Sequence, residues 1–163
     1  MWRNTKHILP LMMLVALVLC ACRGQEETTS VPSSPVRLTI DLRQGPYVHF
    51  VKEAINTYIV VDSKGYHYNG QTYPLKAEDY YGFGGVIIYI TTTKEYAAFD
   101  LGCPHCLNKA TPTQVNGIYT ICPICGEEYD LSSGIGNPTK GVTNEYLRHY
   151  TVSNDNNVLR ITN

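Results

Sequence analysis

From Arg37 onward, short runs rich in Tyr, Ile, Val and Leu alternate with clusters of Gly, Asn, Asp and Ser, the signature of β-strands joined by tight turns. Eight runs are predicted as strands: RLTIDL (37–42), YIVVD (58–62), VIIYIT (86–91), YAAFD (96–100), GIYTI (117–121), EYDL (128–131), LRHYTV (147–152) and VLRIT (158–162). The SKG, YNG, TTKE, VNG and SNDNN segments between them supply the residues that such turns require. The pattern predicts an all-β sandwich or barrel over residues 37–163, and only HFVKEAIN (49–56) reads as a short helix. YGFGG (81–85) has the glycines of a phosphate loop, but no helix follows it, so it reads as a turn into a core strand.

The chain opens on a different pattern. MWRNTKH carries Arg3 and Lys6 ahead of the apolar run ILPLMMLVALVLCA, which is too short to span a bilayer as a mature helix, so residues 1–21 are predicted to be a secretory signal. The run ends in Leu19-Cys20-Ala21-Cys22, which resembles the bacterial lipobox: Leu at −3 and a small residue at −1 precede the cysteine that receives the lipid. Cys22 fits that rule and Cys20 does not. An acylated Cys22 would tether a folded domain to a membrane surface without a spanning helix. RGQEETTSVPSSPV (23–36) has almost nothing to bury, so residues 22–36 are expected to form the lipidated N-terminus and a flexible spacer.

Composition narrows the function. Without residues 1–21 the chain carries 11 basic and 14 acidic side chains, a formal charge of −3, and no basic patch that would suit a nucleic acid. The 13 tyrosines suit pleated strands with one wet end better than a carbohydrate platform. No serine-hydrolase elbow, His-Glu-x-x-His helix or triad pattern is present, and His49, His67 and His149 are isolated, so the reading is a binding or electron-transfer module rather than a catalyst.

The densest chemistry is CPHCLNKATPTQVNGIYTICPICGEEYD (103–130). Cys103-x-x-Cys106, fifteen intervening residues and Cys122-x-x-Cys125 form the two-knuckle spacing of a tetrahedral zinc site, and Gly126 would let backbone N–H groups approach the sulfurs. A second pattern overlays the first. Cys103-Pro-His105 followed by Cys122-Pro-Ile-Cys125-Gly resembles the Rieske iron–sulfur domain, whose loops read Cys-x-His and Cys-x-x-His-Gly. AFDLGCPH (98–105), GEEYDLSSG (126–134) and the run from Lys140 through VLRIT follow that family's course, and GFGGVIIYITTTKEYAAFDLGCPHC is similar to Rieske-like lipoproteins of Bacteroides-type bacteria.

The resemblance implies an antiparallel β-sandwich or barrel with two metal-binding loops at one end. It also implies a two-iron, two-sulfur ([2Fe-2S]) cluster, with Cys103 and Cys122 on one iron and His105 and Cys125 on the other. Cys125 stands where the family has its second histidine, and an added thiolate charge would lower the potential of such an electron carrier. The zinc pattern instead takes Cys106 as its fourth ligand and leaves His105 idle. Disulfide staples are the third reading, in keeping with an exported domain. Export through a signal bearing Arg3 alone favours zinc or disulfides over a cluster assembled before export. The expected setting is the cell envelope, lipid-anchored to the outer membrane of a Gram-negative bacterium and facing the periplasm or the outside, with a redox or assembly protein as partner.

Overall fold

The computed structural model describes residues 28–163; the expected signal and Cys22 lie outside the described residues. The described chain is all-β. Its strands are β1 (Val36–Asp41), β2 (Tyr58–Asp62), β3 (Gly65–Tyr68), β4 (Gln71–Tyr73), β5 (Tyr80–Tyr81), β6 (Val86–Ile90), β7 (Tyr96–Asp100), β8 (Gln114–Asn116), β9 (Tyr119–Ile121), β10 (Glu128–Asp130), β11 (Pro138–Lys140), β12 (His149–Asp155) and β13 (Val158–Thr162). Nine of them form one curled antiparallel sheet, a half-barrel ordered β4-β3-β2-β6-β7-β12-β13-β1-β5, and four form a smaller sheet ordered β11-β10-β9-β8. No described helix is long and apolar enough to cross a membrane.

Every predicted strand segment overlaps an observed strand. The central hairpin β6–β7 explains why VIIYI is apolar at every position. Successive side chains on a strand point to opposite faces, and both faces are covered here. Val86, Ile88, Ile90 and Ala98 join one core with Leu38, Ile40, Ile59, Val61, Leu159 and Ile161. Ile87, Tyr89, Ala97 and Phe99 join a second core with Leu101, Cys103, Cys122, Tyr129, Leu131 and Leu147. The hairpin is therefore a shared wall, and the smaller sheet packs on its second face.

Two expectations are corrected. No helix forms over 49–56: the segment folds as turns after a 3-10 helix at Gly45–Tyr47, with Ala54 N–H donating to Val51 O and Asn56 at φ +61°. Phe50 is buried, but Val51 and Ile55 are 40% and 43% exposed, so no apolar stripe is covered and eight residues are too few to hold a helix alone. The spacer expected to run to residue 36 is tied down from Thr28: Tyr146 N–H donates to Thr28 O, Ser30 donates through N–H and hydroxyl to the Glu145 carboxylate, and the Arg148 guanidinium donates to Val31 O. The Val31 side chain is fully buried.

Candidate metal centre

The first cysteine loop leaves the end of β7, and its root is fixed by Asp100. This fully buried carboxylate accepts N–H bonds from Phe83 (2.7 Å), Gly84 (2.8 Å) and Gly102 (2.6 Å) and the hydroxyl of Tyr150 (2.6 Å). Four donors on one buried carboxylate join the glycine-rich turn before β6, the strand β12 and the residue before Cys103 in a single knot. Burial, with Asp100 beside it, pushes the Tyr150 hydroxyl well above its ordinary pKa, so it remains a donor. Beyond the loop, Thr113 donates through N–H and hydroxyl to Leu101 O and returns the chain to the same point.

The two loops are built alike. Leu107 N–H donates to Cys103 O and Gly126 N–H to Cys122 O, each at 2.9 Å, so both Cys-Pro-x-Cys segments close the same turn. The residue that ends each turn is left-handed, Leu107 at φ +51° and Gly126 at φ +75°. Gly126 is suited to that conformation, and Leu107 adopts it at a cost. His105 and Ile124 hold the same place in the two turns, between proline and the second cysteine, and both point to solvent.

The turns bring four sulfurs together. The Sγ atoms of Cys103, Cys106, Cys122 and Cys125 all lie within 4.8 Å of one another, with Cys103 to Cys125 at 3.7 Å and Cys106 to Cys122 at 3.8 Å. All four are free thiols. His105 is exposed and outside this group, its Nδ1 4.0 Å from Cys106 Sγ. Of the residues singled out in the sequence, the structure thus joins Cys103, Cys106, Cys122 and Cys125 and leaves His105 on the rim.

Several groups tune the sulfurs. Burial works against a thiolate at Cys122, but N–H groups of Cys125 and Ile124 outweigh it and hold the thiol below its ordinary value. Burial raises Cys106 and Cys125, so four thiolates at this spacing need a cation between them. The buried Tyr129 hydroxyl lies 3.6 Å from Cys103 Sγ, and burial, followed by that contact, raises its pKa and keeps it a donor. Such outer contacts orient and tune metal ligands.

A third loop closes the end. The buried carboxylate of Glu127 accepts Val142 N–H at 2.6 Å and Thr143 N–H at 3.3 Å, while Glu127 O accepts Cys122 N–H at 2.8 Å. The carboxylate fills the space where a Cβ on Gly141, at φ +124°, would stand. Asp100, Glu127 and Tyr129 escaped the reading of the sequence; the available signals were an acid directly before Leu-Gly-Cys and another directly after Cys-Gly.

The donor set fits a single tetrahedral ion. Zinc–sulfur bonds of about 2.3 Å at tetrahedral angles place ligand sulfurs about 3.8 Å apart, and the measured pairs stand at 3.7 and 3.8 Å.

Fold and donor set together define an all-β domain with a tetracysteine group able to bind a metal. No family model and no curated protein matches the chain. Among solved structures it is similar to a chain of the complex of reduced oxygenase and oxidised ferredoxin in carbazole 1,9a-dioxygenase, with 11% identity over 79% of this chain and 94% of that one at a TM-score of 0.45. It is also similar to the ferredoxin of carbazole 1,9a-dioxygenase from Nocardioides aromaticivorans, with 17% identity, 79% and 97% coverage and a TM-score of 0.40. A ferredoxin of Sphingomonas yanoikuyae follows, with 13% identity, 69% and 93% coverage and a TM-score of 0.39. Likenesses this distant leave the site to be read from its own geometry.

Proposed function

We propose that this is a membrane-tethered, non-catalytic β-module in which the thiolates of Cys103, Cys106, Cys122 and Cys125 hold one zinc ion, with the acylated Cys22 as the tether. The observation that carries the metal reading is the mutual approach of four sulfurs to within 4.8 Å, with two of the pairs at 3.7 and 3.8 Å. Zinc, when bound, supplies charge neutralisation and a rigid cross-link between two loops that have little regular structure of their own. The chain's residues do the rest: Asp100 fixes the root of the first loop, Glu127 fastens the third loop to the second, and Tyr129 donates to Cys103. The result is a stiff end on which a partner can be bound or assembled.

A second reading, an electron carrier of the Rieske type with a [2Fe-2S] cluster on Cys103, His105, Cys122 and Cys125, is favoured by the Cys-Pro-His tripeptide, the GEEYDLSSG run and the Tyr129 hydroxyl beside Cys103. Metal and sulfide analysis with an absorption spectrum, on protein from its native host, separates the two. One zinc per chain and no visible absorption supports the first reading. Two irons with acid-labile sulfide and a visible spectrum establishes the second, and one iron without sulfide keeps the four-thiolate site but makes it redox-active.

A further inference from the structure

We propose that the domain rests on the membrane with its metal-bearing end down, the tips of the three loops contacting the lipid headgroups. The inference rests on the acylation of Cys22 proposed above. It does not depend on which metal is held.

The tether joins the domain at that end. Thr28 O accepts Tyr146 N–H, and Ser30 donates to Glu145, whose own N–H donates to Thr143 Oγ1. Thr143 N–H in turn donates to Glu127, two residues from Cys125. Val31, buried a few residues on, packs near Gly102 at the root of the first loop. The described chain therefore begins in contact with the third loop and passes the base of the first.

Six chain steps separate Cys22 from Thr28. Whatever their path, they span at most about 20 Å. A domain of this length is roughly 35 Å across. The opposite end is marked by the β12–β13 turn at Asn156–Asn157, because β12 enters beside Phe99 near the metal loops and runs away from them. A tether of that reach, starting at Thr28, is too short to let the domain stand on that turn with its metal-bearing end uppermost.

The surface facing the lipid suits it. Leu107, Ile124 and Val142, one from each loop, are 43%, 52% and 80% exposed, and Pro123 beside Ile124 is exposed too. Lys109 and Lys140 flank them in the open. The nearby acids are engaged: Glu127 by Val142 and Thr143, Glu145 by Ser30, and Glu128 by Thr139. An aliphatic tip with an exposed lysine in the first loop and another at the start of the third suits an anionic headgroup layer.

The test is hydrogen–deuterium exchange read by mass spectrometry on the full acylated chain, reconstituted in phosphatidylethanolamine–phosphatidylglycerol vesicles, against the Cys22→Ser chain in solution. Amides in 105–109, 123–126 and 140–144 are expected to slow by about tenfold on vesicles, with Asn156–Asn157 unchanged. The exposed Val142→Asp, outside the two cysteine turns, should lose that protection in 140–144 while metal content and anchoring stay as in the parent. Equal exchange at the tip on vesicles and in solution, protection at Asn156–Asn157 instead, or the same tip protection without vesicles through contact between copies would each overturn the orientation. So would an intact mass showing Cys22 unmodified. Metal content on the same sample keeps the readings apart: two irons together with vesicle-dependent tip protection would end the zinc reading and leave the orientation standing.

Discussion

The two faces of the β6–β7 hairpin support two regions made stable in different ways. On one face, β1, β2, β12 and β13 run five to seven residues each and close over Leu38, Ile40, Ile59, Val61, Leu159 and Ile161, all essentially without solvent exposure. On the other, all four strands of the smaller sheet are three residues long, and Cys103 and Cys122 are part of the core itself. Burial at about 25 cal/mol per Å² of apolar surface sustains the first region. The second rests on shorter strands, and its 101–113 and 122–127 connections converge on four thiols. In the proposed reading, ligation makes up for sheet length.

The largest test of that contrast is removal of the metal. A structural four-thiolate zinc site contributes on the order of 10 kcal/mol to the fold it holds. Stripping the metal with a strong chelator, or making Cys106→Ala, should lose protection in β8, β9 and β10 while β1, β12 and β13 keep theirs, as read by amide exchange. His105→Ala should retain the metal. Loss of the metal in His105→Ala with retention in Cys106→Ala would show that the Rieske-type ligand set is the right one; simultaneous collapse of both sheets would show that the shared hairpin couples the regions too tightly to be separated.

Next in size is Asp100, which serves both regions. In Asp100→Ala the N–H groups of Phe83, Gly84 and Gly102 and the Tyr150 hydroxyl lose a common buried acceptor. Breaking a buried charged network in this way costs about 3–5 kcal/mol. Urea unfolding should show that loss in the first region as well as a weakened metal site; a change under about 1 kcal/mol would mean that water replaces the carboxylate. Tyr129→Phe is smaller and confined to the second region. It removes one hydrogen bond to a charged sulfur, worth about 1.5–3 kcal/mol, so chelator competition should show a weaker site while β1 and β13 exchange as before.

Sequence legibility follows the same division. VIIYIT and YAAFD read as strands because continuous burial on both faces leaves an unbroken apolar run. The strands β3, β4, β5, β8 and β11 did not, because at two to four residues, several of them polar, their pairing is decided by neighbours rather than by their own pattern. The cysteines were legible as a cluster, but the exposed place of His105 was not: His105 and Cys106 are adjacent in the chain, and only the matching turns around Cys103 and Cys122 reveal that the third position of each points outward. The docking of Thr28–Val31 was illegible because it depends on partners more than a hundred residues away, Glu145 and Arg148.

The smallest prediction concerns acid, and it again separates the regions. Asp62, at the end of β2, is pushed upward by burial, but hydrogen bonds from His67 and the Lys64 N–H outweigh this and hold it below its ordinary value. Asp130, at the end of β10, is likewise raised by burial and lowered further by Ser132 and Ser133. A carboxyl whose folded pKa is depressed adds stability above its unfolded value, near 3.9, and loses it as pH falls through the folded value. In the first region that loss should be visible. The parent should exceed Asp62→Asn by under about 1 kcal/mol at neutral pH, the pair being partly exposed, and the two should converge below about pH 4. In the second region it should be masked, because thiolates take up protons and release the metal at higher pH than any depressed carboxyl titrates. The acid midpoint for loss of β9 and β10 should therefore be the same in the parent and in Asp130→Asn. A shifted midpoint in Asp130→Asn would mean that this sheet stands without its metal, and that the two regions are stabilised in the same way after all.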